Sequence, residues 1–135
     1  MEYKITFPGG KKVDATTEDG FVIHTDQAAK YGGDNSAPTP FAHFLASIGT
    51  CAGIFVLSFC QERKIPTEGL EIIERIEYAQ TPDGHSYMDK IALDIKVPAG
   101  FPEKYLGAII KVADQCAVKR AIANPPKFEV KTIAG

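Results

Sequence analysis

The most constraining feature of this sequence is a run of twenty residues, Phe41–Cys60, that contains no formal charge. Thr39-Pro40 precedes it as a helix N-cap followed by proline at the first helical position, and Pro66 stops the helix after the polar residues Gln61–Lys64. A helix that is apolar on all sides must be covered on all sides. The sequence therefore predicts a long central helix around which the rest of the chain is organised.

An uncharged helix of this length could also cross a bilayer, and Gly49-x-x-x-Gly53 is the spacing found where membrane helices pair. Polar side chains interrupt the run, however, and the flanking sequence has the strand patterns of a soluble protein; the interruptions are His43, Ser47, Thr50 and Ser58. We therefore expect a helix buried in protein, with the two glycines allowing a second helix to approach closely. A membrane-anchored chain is the remote alternative.

The composition of the chain excludes several classes of function. The 135 residues fit one domain, and 15 basic against 17 acidic residues give a net charge of −2, without the basic cluster that nucleic acid or an anionic membrane requires. Three cysteines are too few for a disulfide-stapled domain, and the first residues carry no apolar signal-peptide core. We expect a single domain spanning residues 1–135 in the cytoplasm, with no nucleic-acid partner and no membrane partner.

Apolar alternation and turn residues predict the remaining elements, in the order βββ-α-ββ-α-β, which is an α+β fold class. Three short strands come first, at Tyr3–Phe7, Lys11–Thr17 and Phe21–Thr25. A hairpin follows the long helix. Its first strand lies around Leu70–Tyr78, where Glu74 interrupts the apolar positions and a short helix is the alternative. Its second strand spans Lys90–Val97. A second helix begins at Pro102-Glu103 and ends at Pro125-Pro126, and a last strand is predicted over Phe128–Ile133.

The three cysteines are the main candidates for chemistry. Cys51 lies in the middle of the long helix and Cys116 on the apolar face of the second, so packing of the two helices would bring both sulfurs within bonding reach. Cys60 lies about 13.5 Å and about 180° further along the same helix than Cys51, which excludes a bridge between those two in one chain. Spacing alone favours the interpretation of each cysteine as a small buried apolar residue.

Other kinds of site find no support in the sequence. Cysteines and histidines are not spaced as metal ligands, and no phosphate loop, dinucleotide fingerprint or nucleophile elbow is present. His43 is about 12 Å along the helix from Cys51, too far to act as its base in the same chain. We read His24 and His85 as ordinary polar residues of a strand and a loop.

Two cysteine motifs, taken together, resemble the OsmC/Ohr superfamily. Gly32-Gly33, Ala37-Pro38-Thr39-Pro40 and the uncharged helix with Gly49-Thr50-Cys51 are similar to the first cysteine helix of that family. Ala113–Val118, containing Cys116 and followed by a proline break, looks like its second motif, and the 65-residue separation of the cysteines suits the family. The resemblance covers the whole chain in element order. It implies an OsmC-like fold in which the two cysteine-bearing helices pack on antiparallel sheet and two chains intertwine as a homodimer.

The resemblance also implies a reaction, namely thiol peroxidase activity that reduces organic hydroperoxides as a defence against oxidative stress. Cys51 matches the peroxidatic cysteine and Cys116 the resolving one, and an external dithiol would restore both thiols without a metal or organic cofactor. An apolar surround suits fatty or aryl hydroperoxides. We expect the substrate pocket to be lined by Phe41, Phe44, Ile48 and Phe55.

This chain departs from the family at the groups that stabilise the thiolate. Hydroperoxidase members use an arginine of the N-terminal strands held by a glutamate at the start of the cysteine helix. Here no arginine precedes Arg63, and Phe41 occupies the glutamate position. Lys11, Lys12 and Arg120 are the candidate replacements. No lysine reproduces the planar fork of a guanidinium, and the position of Arg120 favours a solvated helix residue over a cation at the thiolate.

The missing ion pair keeps two other functions open. One is a non-catalytic dimer that binds an apolar small molecule in a pocket beside the long helix. The other is a redox sensor whose disulfide changes the binding of a partner.

Overall fold

The computed structural model describes all residues, Met1–Gly135, as a mixed α+β chain with two antiparallel sheets. It divides into two compact units, Met1–Ala46 and Ser47–Gly135, which are taken in turn below. The α+β class is confirmed. The homodimer and the single domain remain predictions.

The N-terminal unit contains a three-stranded antiparallel meander, as predicted. Its strands are β1 (Tyr3–Gly9), β2 (Lys12–Thr17) and β3 (Val22–Thr25), in the spatial order β1-β2-β3. Ile5 pairs with Ala15 and Ala15 with Ile23, so these three side chains share one face of the sheet. Ile5 and Ile23 are 52% and 38% exposed, so part of this apolar face is open to solvent within one chain.

A loop organised around one buried carboxylate follows the meander. Asp26 is fully buried and accepts hydrogen bonds from the Ser36 hydroxyl at 2.6 Å, the Ser36 amide at 3.0 Å and the Gln27 amide at 2.7 Å. These bonds, led by that of the Ser36 hydroxyl, lower the pKa of Asp26 to about 2 because they stabilise its charged form. Gly33 has no room for a side chain, because a Cβ would lie 2.0 Å from Gln27 O.

Helix α1 (Pro40–Glu62) confirms the predicted long helix, and Thr39 Oγ1 accepts the Ala42 amide at 3.2 Å as its cap. It is long and apolar enough to cross a membrane by length and composition alone, although a core helix meets the same criterion. Only part of it is covered: its buried residues form one stripe, Ile48, Ala52, Val56, Phe59 and Cys60. The prediction that the whole helix is covered by protein therefore holds only for this stripe within one chain.

The second unit begins within α1 and adds the predicted hairpin. Strands β4 (Glu71–Gln80) and β5 (Ser86–Lys96) pair antiparallel across a turn at residues 81–85, where the Thr81 amide donates to His85 O at 2.8 Å. The short-helix alternative for β4 is therefore wrong. The inner face of the hairpin packs on α1, with Ile72, Leu93 and Ile95 against the core cluster of Ala52, Val56, Ile109 and Ala113.

The two glycines of α1 face this hairpin. A Cβ on Gly49 would lie 2.5 Å from Glu74 Oε1, and one on Gly53 would lie 3.9 Å from Ile72 Cδ1. The expectation that they admit a second helix is corrected, since strand β4 occupies that space within the chain. The close approach at Gly49 is made by the carboxylate that interrupts the apolar positions of β4.

The predicted second helix is broken in two. After a short 3-10 turn, Glu103–Tyr105, come α2 (Leu106–Ala113) and α3 (Ala117–Ala123). Cys116 lies between them as the N-cap of α3 with an extended backbone, φ −53° and ψ 124°, so it is not on a helix face as predicted. Its fully buried side chain lies at Ile48 of α1, a tertiary contact that apolar spacing does not encode.

The last predicted strand is absent, because residues 125–135 contain no helix or strand. The side chains expected to alternate between two faces, including Phe128 and Val130, are exposed. A strand is stabilised by pairing with a neighbour, and this segment has none within the chain. The observed order is therefore βββ-α-ββ-α-α.

Candidate thiol site

The structure brings Cys51 and Cys116 together within one chain. Cys51 is half-buried on α1, whereas Cys116 is fully buried at the start of α3. The Cys116 thiol donates to Ile48 O at 3.9 Å, and the Cys116 side chain is close enough to Cys51 to lower the pKa of the Cys51 thiol. The two sulfurs are therefore neighbours, one accessible and one enclosed, as a pair that forms a disulfide would require.

The first amides of α3 point at the Cys51 sulfur. The Val118 amide makes the largest contribution to lowering the pKa of Cys51, the Cys116 thiol the next, and the Ala117 amide a smaller one; burial opposes them. Amides of the first helical turn have no partner within their helix, so they are free to donate to a thiolate. Because of these bonds, the pKa of Cys51 lies below that of an ordinary thiol despite its apolar surroundings.

The three candidate cations lie in different places. The charge of Arg120 also lowers the pKa of Cys51, as the smallest of the contributions. Lys12 pairs with Asp34 at 2.5 Å within the N-terminal unit, and this hydrogen bond raises the pKa of Lys12. Lys11 lies beside Gly32 in the same unit. A role for either lysine at the thiolate stays a prediction.

The side chains predicted to line a substrate pocket belong to both units. Ile48 is buried and lines a cavity in the second unit. Phe41 and Phe44 contact each other in the N-terminal unit, with ring centroids 5.4 Å apart. Phe55 is half-buried on α1 and does not line that cavity. Their role in binding substrate stays a prediction.

Cys60 and the two histidines of the N-terminal unit have surroundings of their own. Cys60 is fully buried, and burial raises its pKa. His43 Nε2 lies 2.9 Å from His24 O, and His24 Nδ1 lies 3.0 Å from Asp14 Oδ1, all in the N-terminal unit. No group of three or more His, Cys, Asp or Glu side chains is arranged to hold a metal ion.

The residues that sequence reasoning missed act through backbone atoms. Ala117 and Val118 contribute amides, and no side-chain pattern marks an amide as a ligand. The available signal was the tripeptide Asp114-Gln115-Cys116, where polar residues interrupt an otherwise apolar helical spacing. Reading it as a helix boundary would have placed free amides directly after Cys116.

Comparison with known proteins agrees with this architecture. The family model described as OsmC-like protein matches residues 33–131. A Psychrobacter arcticus protein named for osmotic stress induction and detoxification has a similar structure, with a TM-score of 0.69, 18% identity and coverage of 88% of this chain and 85% of that one. An organic hydroperoxide resistance protein from Legionella pneumophila matches with a TM-score of 0.59, 20% identity and coverage of 90% and 89%.

A third similar structure is an organic hydroperoxide resistance protein from Elizabethkingia anophelis, with a TM-score of 0.59 and 19% identity over 92% of this chain and 90% of that one. At these identities the likeness concerns the fold. Among curated protein sequences, none matches this chain.

Proposed function

The chain belongs to the OsmC-like family, and on that premise we propose that it reduces organic hydroperoxides through Cys51 and Cys116. The observation that carries the proposal is the position of the fully buried Cys116 beside the half-buried Cys51, whose pKa is lowered. Two of the similar structures are organic hydroperoxide resistance proteins, which supports the same class of reaction.

The reaction begins with the Cys51 thiolate. It attacks the terminal oxygen of a hydroperoxide, the O–O bond breaks, and the organic oxygen leaves as an alcohol after taking up a proton. Cys51 becomes a sulfenic acid. The amides of Ala117 and Val118 and the charge of Arg120 stabilise the attacking thiolate.

Cys116 then resolves this intermediate. Its sulfur attacks the sulfenic sulfur, water leaves, and a disulfide forms between the two cysteines. A dithiol reductant exchanges with that disulfide and is itself oxidised, which restores both thiols. The cycle requires thiols that are otherwise kept reduced, and we place it in the cytoplasm for that reason. It requires no metal or organic cofactor.

We also propose that the protein works as a homodimer. Ile5 and Phe7 of β1 are 52% and 78% exposed, and Ile23 of β3 lies on the same face as Ile5. An apolar sheet face without cover is a surface that a second copy can bury. Phe7→Asp should convert the dimer to monomer in analytical ultracentrifugation, whereas Lys4→Asp, on the opposite face of β1, should not. A wild-type protein that sediments as a monomer would overturn this assignment.

The activity test is stopped-flow consumption of cumene hydroperoxide and linoleic acid hydroperoxide with a dithiol donor. Cys51→Ser should abolish consumption. Cys116→Ser should allow one turnover and then stop, because the sulfenic acid has no internal partner. Cys60→Ala is the matched control and should keep the wild-type rate.

Equal rates for wild type and Cys51→Ser would refute the proposal. Slow oxidation of both thiols without turnover would refute the enzyme and support a redox sensor.

A further inference from the structure

The second unit contains a cavity of about 640 Å³ that does not include either reactive sulfur among its walls. It lies between β5, α2 and α3, and Ile48 of α1 contributes to its lining. Ten of the thirteen lining residues are aliphatic and none is aromatic. Sites for small organic molecules usually have volumes of about 300–1,000 Å³ and mostly apolar walls, so this cavity has the size and the surface of a ligand site.

The cavity has an enclosed part and an open part. Ile48 and Ile109 are each only 2% exposed, whereas Ile110 and Ile122 are 63% and 50% exposed. A ligand could therefore enter past the two exposed isoleucines and reach buried aliphatic walls. No residue after Ile122 is among those that line the cavity.

The charged side chains that line the cavity determine which charge the head group of a ligand can have. Asp114 is paired with Lys119, and Asp94 is paired with Arg75. Each carboxylate is thus already neutralised. A ligand carboxylate would have to displace Asp114 from Lys119, which also lines the cavity, and a ligand ammonium would have to displace Lys119 or Arg75 from the aspartates that they already hold. An uncharged head group is the one that leaves both ion pairs intact.

We propose that this cavity binds an uncharged molecule with an aliphatic chain, of the chemical class of a medium-chain alcohol. The absence of aromatic walls favours a flexible alkyl chain over an aryl group, because an aryl group has no ring on which to stack. The proposal does not depend on the peroxidase reaction, since neither cysteine contributes to the lining.

The experiment compares three probes of equal chain length, decan-1-ol, decanoate and decylammonium, on the full chain in its solution oligomeric state. Titration is followed by calorimetry and by the methyl NMR signals of isoleucine. Decan-1-ol should bind up to about fivefold more tightly than either charged probe, since each of those must disturb an exposed ion pair. The signals of Ile95 and Ile109 should shift, whereas that of Ile5 should not.

Two variants at the open side and one control complete the test. Ile122→Lys and Ile110→Lys should each weaken decan-1-ol binding about tenfold, because an apolar contact is lost and a charge is introduced. Ile133→Lys, an equally drastic change at an exposed isoleucine outside the cavity, should leave binding unchanged. Thermal melts establish that each variant is folded.

Three outcomes would overturn the proposal. They are equal binding of the three probes, methyl shifts confined to residues outside the cavity, and binding only after dissociation to monomers, which would mean that a second copy covers this face. None of these readouts uses hydroperoxide turnover, so failure here is distinguishable from failure of the proposed reaction.

Discussion

Ala117→Pro is the sharpest test of how the Cys51 thiolate is stabilised. The substitution removes one of the two amides that lower the pKa of Cys51. Proline is compatible with this position: Ala117 is the first residue of α3, and Cys116 before it already has an extended backbone, with ψ 124°. The Val118 amide contributes more, but proline there would force Ala117 out of its helical conformation.

The expected shift follows from the strength of the lost hydrogen bond. A hydrogen bond to a charged group contributes about 1.5–3 kcal/mol, and 1.36 kcal/mol corresponds to one pKa unit. Cys51 is half-buried, so water can replace the missing donor in part, and the lower end of that range applies. The pKa of Cys51 should therefore rise by about one unit in Ala117→Pro.

The assay is the rate of iodoacetamide alkylation against pH, with Cys51 followed by peptide mass spectrometry. Ala117→Gly is the control: it changes the side chain at the same position but keeps the amide N–H, so its pH profile should equal that of wild type. If Ala117→Pro remains folded and its alkylation rate depends on pH as in wild type, the Ala117 amide does not stabilise the Cys51 thiolate.

Three further predictions test the packing around this site. Gly49→Ala should change the free energy of unfolding by less than about 1 kcal/mol in urea titrations, because its Cβ would lie 2.5 Å from Glu74 Oε1, the end of a flexible side chain that can turn away. Gly53→Ala, with 3.9 Å to its nearest neighbour, should be neutral or stabilising. The pKa of Asp26 is lowered to about 2, so its charge contributes stability that is fully present above its unfolded pKa and is lost as the pH falls through about 2. In Asp26→Asn the free energy of unfolding should therefore fall less steeply with decreasing pH. An unchanged dependence on pH would contradict this role of Asp26. Cys60, whose pKa is raised by burial, should resist alkylation in the native protein at pH values where Cys51 reacts, and should become reactive in urea.

Local signals in the sequence were sufficient for most of the elements. Thr39-Pro40 marks the start of α1 through a cap and a fixed φ angle, and the alternation of Ile91, Leu93 and Ile95 identifies β5. Both signals lie within a few residues of the element they define. Cys51 and Cys116 could be proposed as a pair for a similar reason, since each lies in a short motif and the order of the two motifs along the chain is known from the sequence.

What the sequence did not predict depends on contacts between distant residues. The break at Cys116 follows from burial of its side chain at Ile48, which is 68 residues away. The space beside Gly49 and Gly53 is filled by β4 rather than a helix, because the hairpin folds back onto α1. An alternating pattern at Phe128–Ile133 forms no strand here because alternation specifies two faces and does not supply a pairing partner.

The break between α2 and α3 places two requirements of thiol chemistry at one point of the chain. It presents the Cys116 thiol to Cys51, and it frees the following amides to donate to the same sulfur. A continuous helix would have used those amides internally, and Cys51 would then have needed a full positive charge from elsewhere. The absence of an arginine before Arg63 and of a glutamate at Phe41 is therefore compatible with a reactive Cys51. Because amide hydrogen bonds are screened by salt far less than ion pairs between exposed charges, the acidity of Cys51 should depend on the integrity of this junction more than on ionic strength.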